Sequence, residues 1–451
     1  MNKITKFIGK NKVSISIVLS GFILFIVNVL IFYPGFMSAD SITQLAQVMG
    51  ERPVTDWHPP VMVLVWGILL DITGKVGSML MLQLAMLWAS LVLLAIYIHR
   101  ITSSVKYAIL PLVVGVAPFV ISISGVIWKD CHMAFSLLLA AVLTLYLKQL
   151  KFKKAIRYCI LVVIGLLILY ACLLRHNALF AAIPLIYVAI SYGISTRMRS
   201  QRILYTAAFV LVTFVAGSIV SGLTSARTTN PSSAVMLDDI VNTLSVSDVR
   251  KAGIDSDLSQ IIQDAVHKCR NRDIVFNSIA YCSGKEAGYR LSYDHPEALR
   301  AVWGYMLEHK PWEYLGFRLH AFSIFMFTPE RLSYYWNAGI EDNDLDQKVK
   351  FEDLGKSLSV YVIDFGYKYF SVLFMPWFWI VFNSILLGYA YKRLKTMRLF
   401  VCALAMSAVL YILSYAPVVI GVDYRYIYWS VFASLLAALL AWIDIRYRKN
   451  V

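Results

Sequence analysis

Apolar residues in this chain come in long uninterrupted runs, not in the alternation of a strand or the stripe of a surface helix. Runs over 13–33, 77–98, 105–125, 131–148, 156–174, 178–194, 203–223, 368–391, 399–420 and 427–445 each approach the roughly 20 residues with which a helix crosses a bilayer core. A further run, 61–73, has only 13 residues. It is too short to cross and is expected to lie on or dip into the membrane. Residues 224–366 break the pattern: this stretch is polar and holds most of the acids. The chain thus divides into a core over 1–223 with a first outer loop at 34–76, a lobe over 224–366, and a closing set of spans over 367–451. The expected fold is an all-α integral membrane protein of about ten transmembrane helices, with outer juxtamembrane helices and an extracytoplasmic lobe. No cleavage pattern follows the first apolar run, so 13–33 reads as a retained span.

Composition agrees. The chain is 59% hydrophobic and 15% charged, where a soluble protein carries about 25% charged residues. Its net charge of +15 would suit nucleic acid, but the distribution excludes that reading. With the N-terminus inside, half of the 42 basic residues fall at inner segments, among them Lys3, Lys12, Arg100, Lys106, Lys148–Arg157, Arg199, Arg393 and Arg446, with Asp444 as the one acid nearby. That is the charge bias of cytoplasmic loops. It holds only if 58–76 stays at the outer surface, and it places both termini inside.

Within the lobe, 235–244, 258–267 and 295–308 have helical spacing, the last with Pro296 in the first turn. The aromatic segment after Trp312 is expected to lean on the membrane. Cys269 and Cys282 enclose a short loop on the oxidising side, where a disulfide and two free thiols both remain open.

The polar residues that interrupt apolar sequence gather at outer span ends. Asp40 opens a segment that closes at Gly50; it reads either as a helix cap or as a carboxylate that takes a proton from a hydroxyl. Asp56 and His58 flank Trp57 before Pro59-Pro60. They form a rigid helix start, or else His58 donates to a phosphate and Asp56 serves as a metal ligand or catalytic partner. Trp128-Lys129-Asp130, Arg175-His176-Asn177 and Asp423-Tyr424-Arg425-Tyr426 repeat the theme. Lys129 and Asp130 could simply neutralise each other, and Arg425 could be an interface anchor. Ionisable residues at membrane depth are nonetheless functional candidates, and Lys and Arg both bind phosphate. Lys129, Arg175, His176, His58 and Arg425 share one face with Asp40. No spacing resembles a zinc site.

An acid on the first outer loop, a following His58-Pro59-Pro60 and a seven-span core resemble membrane glycosyltransferases of the GT-C fold class, which take sugars from polyprenyl-phosphate carriers. Tyr33-Pro34-Gly35, Asp56-Trp57-His58-Pro59-Pro60, Trp128-Lys129-Asp130 and Arg175-His176-Asn177 are similar to an uncharacterised bacterial family assigned to that class. The resemblance covers about the first 225 residues. Ser38-Ala39-Asp40 stands where many relatives carry paired acids, so no metal site is carried over and the cofactor stays unknown.

The resemblance implies an enzyme of the bacterial plasma membrane with an extracytoplasmic active site. A polyprenyl-phosphate sugar donor would meet an acceptor in the envelope, whether glycan, lipid or protein, and transfer would invert the anomeric centre. Asp40 would act as general base and Asp56 as its catalytic partner, with His58, Lys129, Arg175, His176 and Arg425 on the donor phosphate. The lobe would shape the acceptor site. Two rivals stand beside it: a polysaccharide polymerase or ligase using a polyprenyl-diphosphate glycan, and a transporter, which would place charges at mid-membrane on paired broken helices.

Overall fold

The computed structural model describes residues 3–150, 153–194, 198–270, 278–328 and 335–447, with side chains from residue 12 onward except at 278–280. Of the basic residues in the expected inner segments, Lys151, Arg197, Arg448 and Lys449 and the side chains of Lys3, Lys6 and Lys10 lie outside this description. Helices are the regular elements among the described residues, with three isolated β-bridges and no strand.

Among the described residues, six helices are long and apolar enough to cross a membrane: Lys12–Phe32, Ser78–Thr102, Lys129–Gln149, Lys154–Leu174, Arg199–Leu223 and Tyr424–Arg446. Two helix pairs, Val105–Gly115 with Pro118–Ser124 and Glu352–Phe374 with Pro376–Arg393, raise the number to eight if each bent pair is one span. They bend by 46° and 55° at Pro118 and Pro376. Proline removes the backbone donor and pushes the preceding residue out of the helical region, and Ala117 and Met375 are both extended. The expected spans at 178–194 and 399–420 are shorter than expected, as helices Ala178–Gly193 and Arg398–Leu413 of 16 residues each. At 1.5 Å per residue each is about 24 Å long, less than a bilayer core of about 30 Å.

The spans differ in where they sit. In the most apolar window of Lys129–Gln149, 89% is buried within the protein, against 11% for Arg199–Leu223. The first is therefore the central helix and the second a rim helix whose apolar surface faces away from the protein. Segment 61–73 forms the helix Pro60–Thr73, with Pro60 at its first turn and Gly74 closing it at φ +63°. Val61, Met62, Val63 and Trp66 face the core, while Ile68 and Ile72 are exposed.

The lobe carries its own core, in which Leu237, Ile240, Val241, Ile262, Val266, Leu299, Val302 and Met306 pack together. Its helices include Ser232–Thr243, Ser256–Cys269, Pro296–His309 and Pro311–Phe327. Cys269 and Cys282 are disulfide-bonded, with 5.7 Å between their Cα atoms. In the buried pair Asp239–Arg318, Arg318 Nε stands 2.6 Å from Asp239 Oδ1 and Nη1 donates to the Val419 carbonyl, tying the lobe to the loop before the last span.

One strip of backbone positions the loop that carries Asp40. Phe36 pairs with Val126 on one side, and Met37 with Ile340 on the other. The Phe36 N–H donates to the Gly125 carbonyl at 3.0 Å, and Ile127 N–H returns to Phe36 at 2.9 Å. Gly125 allows this approach, since a Cβ there would stand 1.9 Å from the Phe32 ring.

Candidate active site

The helix Ala39–Val48 follows that strip directly. Ser38, not Asp40, occupies its N-cap position, and its hydroxyl accepts a hydrogen bond from Trp128 Nε1 at 2.8 Å instead of capping the helix. Asp40 lies one residue inside, so the reading of Asp40 as a cap is corrected. Its Oδ2 accepts a hydrogen bond from Arg425 Nη1 at 2.9 Å, across 385 residues of sequence. The Asp40 side chain keeps 38% of its surface accessible, against 8% for Arg425: a carboxylate open on one side and clamped on the other.

Arg425 sits in the short 3-10 turn Tyr424–Ile427 that starts the last span. Asp423 caps that turn, its Oδ1 accepting from the Arg425 N–H at 3.1 Å, while its Oδ2 lies 2.8 Å from Arg425 Nε. The guanidinium lies 4.6 Å from the centre of the Trp128 ring, a cation–π contact. Trp128 thus braces both the Asp40 loop and the arginine that holds Asp40.

Lys129 and Asp130 open the central helix. They do not neutralise each other: Asp130 is fully buried and its Oδ1 accepts from Arg175 Nη1. Arg175 also donates to Asn177 Oδ1 at 3.3 Å, and its guanidinium lies 5.6 Å and 5.0 Å from the rings of Tyr415 and Tyr426. Lys129 makes no ion pair among the described residues, although its charge acts on Asp40. His58 is 5% exposed, and its Nδ1 is buried without a hydrogen-bond partner.

Three acids, Asp40, Asp130 and Asp423, and three cations, Lys129, Arg175 and Arg425, therefore meet at one end of the helix bundle. Burial alone would raise the Asp40 carboxyl, but Arg425, His58 and Lys129 outweigh it and hold it well below the usual carboxylate range. Burial pushes His58 down to about 4 against the pull of Asp40, so the imidazole is neutral at ordinary pH. Asp423 is pushed up to about 7 by burial, with Arg425 opposing.

Two expected site residues stand elsewhere. Asp56 Oδ1 accepts from both the backbone N–H and the hydroxyl of Thr229 at 2.6 Å, which makes it a clamp between the loop before Pro60 and the segment before Ser232. Its short side chain is spent on that turn and does not join the acids around Arg425. His176 is exposed at the turn after Arg175 and makes no side-chain hydrogen bond or ion pair among the described residues. Conversely, Asp130, Asp423, Ser38, Trp128 and Tyr426, which the sequence offered only as motif neighbours, and Tyr415, which it did not offer, all line the cluster. The one sequence signal for the two acids is an Asp within two residues of a candidate cation, as in Lys129-Asp130 and Asp423-Tyr424-Arg425.

Beside the Asp40 loop opens a cavity of about 320 Å³, lined among others by Phe36, Trp336, Asn343, Asp346, Gln347 and Glu352. It is tied to the loop by the Met37 pairing and by the Ala39 N–H, which donates to Glu341 Oε2 at 3.1 Å. Among the described residues, no group of three His, Cys, Asp or Glu side chains is placed to hold a metal ion.

No protein-family model matches the chain, and no curated protein does. Among solved structures, the chain is similar to the crystal structure of ArnT from Cupriavidus metallidurans bound to undecaprenyl phosphate, at 12% identity and a TM-score of 0.34, over 91% of this chain and 78% of that one. At that degree of likeness no residue role or chemistry is carried across.

Proposed function

We propose that this protein is a GT-C-like membrane glycosyltransferase, taking a sugar from a polyprenyl-phosphate donor and passing it to an envelope acceptor on the outer side of the membrane. The observation that carries this reading is the half-open Asp40 carboxylate, ringed by Arg425, Lys129 and His58 where several spans end. A phosphate on a lipid chain needs cations at headgroup depth; an acceptor hydroxyl needs a reachable base. Lys129, with no ion pair of its own among the described residues, is free to meet the phosphate, and Arg425 can meet it on the side it presents to the half-open Asp40. Arg175 is already engaged by Asp130 and Asn177, so its role is to keep that acid neutralised behind Lys129. Neutral His58 can donate a hydrogen bond to a phosphate oxygen.

In the proposed step the acceptor oxygen attacks the anomeric carbon and its proton passes to Asp40. The bond from that carbon to the phosphate oxygen breaks, and the electron pair leaves on the phosphate, stabilised by Arg425 and Lys129. Attack opposite the leaving group inverts the anomeric centre. Fixed charges aimed at developing charge generally supply the largest catalytic term. The cavity beside the loop, with its aromatic ring, amides and carboxylates, suits a hydroxyl-rich acceptor.

The test is turnover. Full-length protein in nanodiscs, offered a panel of undecaprenyl-phosphate sugars and a membrane extract as acceptor source, is expected to release undecaprenyl phosphate. Release only from undecaprenyl-diphosphate glycans would transfer the reading to a polymerase or ligase. Release from neither overturns it.

A further inference from the structure

Arg425 is shared between two carboxylates that are not equivalent. Asp423 lies on the same turn, is 1% exposed, and meets both the backbone N–H and Nε of Arg425. Asp40 reaches the guanidinium from a distant helix through one hydrogen bond and stays 38% exposed. Trp128 backs the guanidinium, so Arg425 would keep its place if Asp40 let go. An anion arriving from solvent or lipid meets the Asp40 side of the arginine, since the Asp423 side is sealed. The clamped Asp40 is a weak base, however, and general-base work needs a proton affinity nearer ambient pH.

We infer that Arg425 exchanges partners: Asp423 and Trp128 hold it in place while the donor's phosphate takes it from Asp40, so that Asp40 becomes a base only once phosphate is bound. This rests on the function proposed above and adds Asp423 as a positioning residue. The physical ground is competition, because two anions facing one guanidinium repel each other. Coupling between sites is reciprocal. The factor by which phosphate raises the proton affinity of Asp40 equals the factor by which neutralising Asp40 raises affinity for phosphate. Removing the two acids should then act in opposite directions, which a merely structural role would not produce.

The experiment is a titration of full-length protein in nanodiscs with undecaprenyl phosphate at pH 7.5, comparing wild type, Asp40→Asn, Asp423→Asn and Arg425→Ala, each checked by thermal unfolding. Asp40→Asn is expected to bind about 10-fold tighter than wild type. Asp423→Asn should bind about 10-fold more weakly and Arg425→Ala more weakly still. Wild-type or weaker affinity in Asp40→Asn, with Arg425→Ala still impaired, overturns the exchange but leaves the phosphate site standing. If Arg425→Ala binds as wild type does, or wild type does not bind, the site and the exchange both fall. Should Asp423→Asn not fold, the Asp40→Asn arm decides alone, since its exposed side chain gives the fold little to lose.

Discussion

Two carboxylate–guanidinium pairs, Asp239–Arg318 and Asp40–Arg425, look alike in a contact map and differ in what surrounds them. In the lobe, Asp239 and Arg318 are 0% and 4% exposed. Arg318 spends its other donors on the carbonyls of Val419 and Val235, and Asp239 accepts from Trp303. Nothing in that pair is left to offer a ligand, and its effect is to fasten the lobe to the spans. At the bundle end, Asp40 is open on one side and Arg425 has a second carboxylate in reserve. Sealing on every side makes a fastener; one open side makes a pair that can exchange partners and react. Asp56 shows the same lesson in small form, spent on Thr229.

The sharpest way to break this comparison is to remove the charge from each acid in turn. Asp40→Asn is expected to lower transfer by about 100- to 10,000-fold, the usual range for a general base, with only a small loss in unfolding temperature, since Asp40 is half open and Arg425 keeps Asp423. Asp239→Asn should do the reverse, leaving a buried Arg318 uncompensated at a cost of about 3 kcal/mol while the residual folded protein still turns over donor. Thermal unfolding and initial rates on the same preparations check both; a Tm loss in Asp40→Asn equal to that in Asp239→Asn would erase the distinction.

A second contrast follows from geometry. Arg425→Lys keeps the charge but loses the planar fork, and donor use should fall about 10-fold, read as a KM change. The lobe's other fastener, the Cys269–Cys282 bond across a sequence separation of 13, should contribute about 3 kcal/mol by limiting the unfolded chain. Replacing both cysteines with serine should lower the Tm and spare the KM for donor.

The smallest expected effect is a pH dependence of stability. Asp423 is pushed up to about 7 from an ordinary 3.8, so over that interval the native state holds a proton that the unfolded chain has released. Stability therefore falls as pH rises from about 4 to 7. Asp40 has the opposite sign: its carboxyl is lowered, so its contribution is complete above about 4 and is lost only in stronger acid. Between pH 5 and 7 Asp423 opposes His58, which is pushed down to about 4 and adds stability as pH rises, so Asp423→Asn should shift the slope toward gain with pH in thermal scans. An unaltered slope would show that Asp423 does not titrate there.

Much of the architecture was legible because lipid imposes a coarse rule that one sequence can reveal. Runs of apolar residues near the right length became helices, and the 13-residue run became the short helix Pro60–Thr73. The bends at Pro118 and Pro376 were missed because hydropathy continues through a proline even where the helix does not. At the site, residue types were readable but partners were not. Asp40, His58, Lys129, Arg175 and Arg425 stood out as charged or ionisable groups against apolar neighbours. That Asp130 would take Arg175 and that Arg425 would reach Asp40 depends on packing between helices remote in sequence. His176 and Asp56 show the complementary limit: neighbours in sequence to a site residue, they stand apart from the cluster, Asp56 on Thr229 and His176 exposed.

The most direct test of the central claim is to see where the phosphate sits. A cryo-EM structure of the full-length protein in nanodiscs with undecaprenyl phosphate is predicted to show the phosphate within hydrogen-bond reach of Arg425 and Lys129, with the Arg425–Asp40 contact broken and the Arg425–Asp423 contact kept. Phosphate density elsewhere on the protein, with Asp40 still clamped by Arg425, would contradict the account.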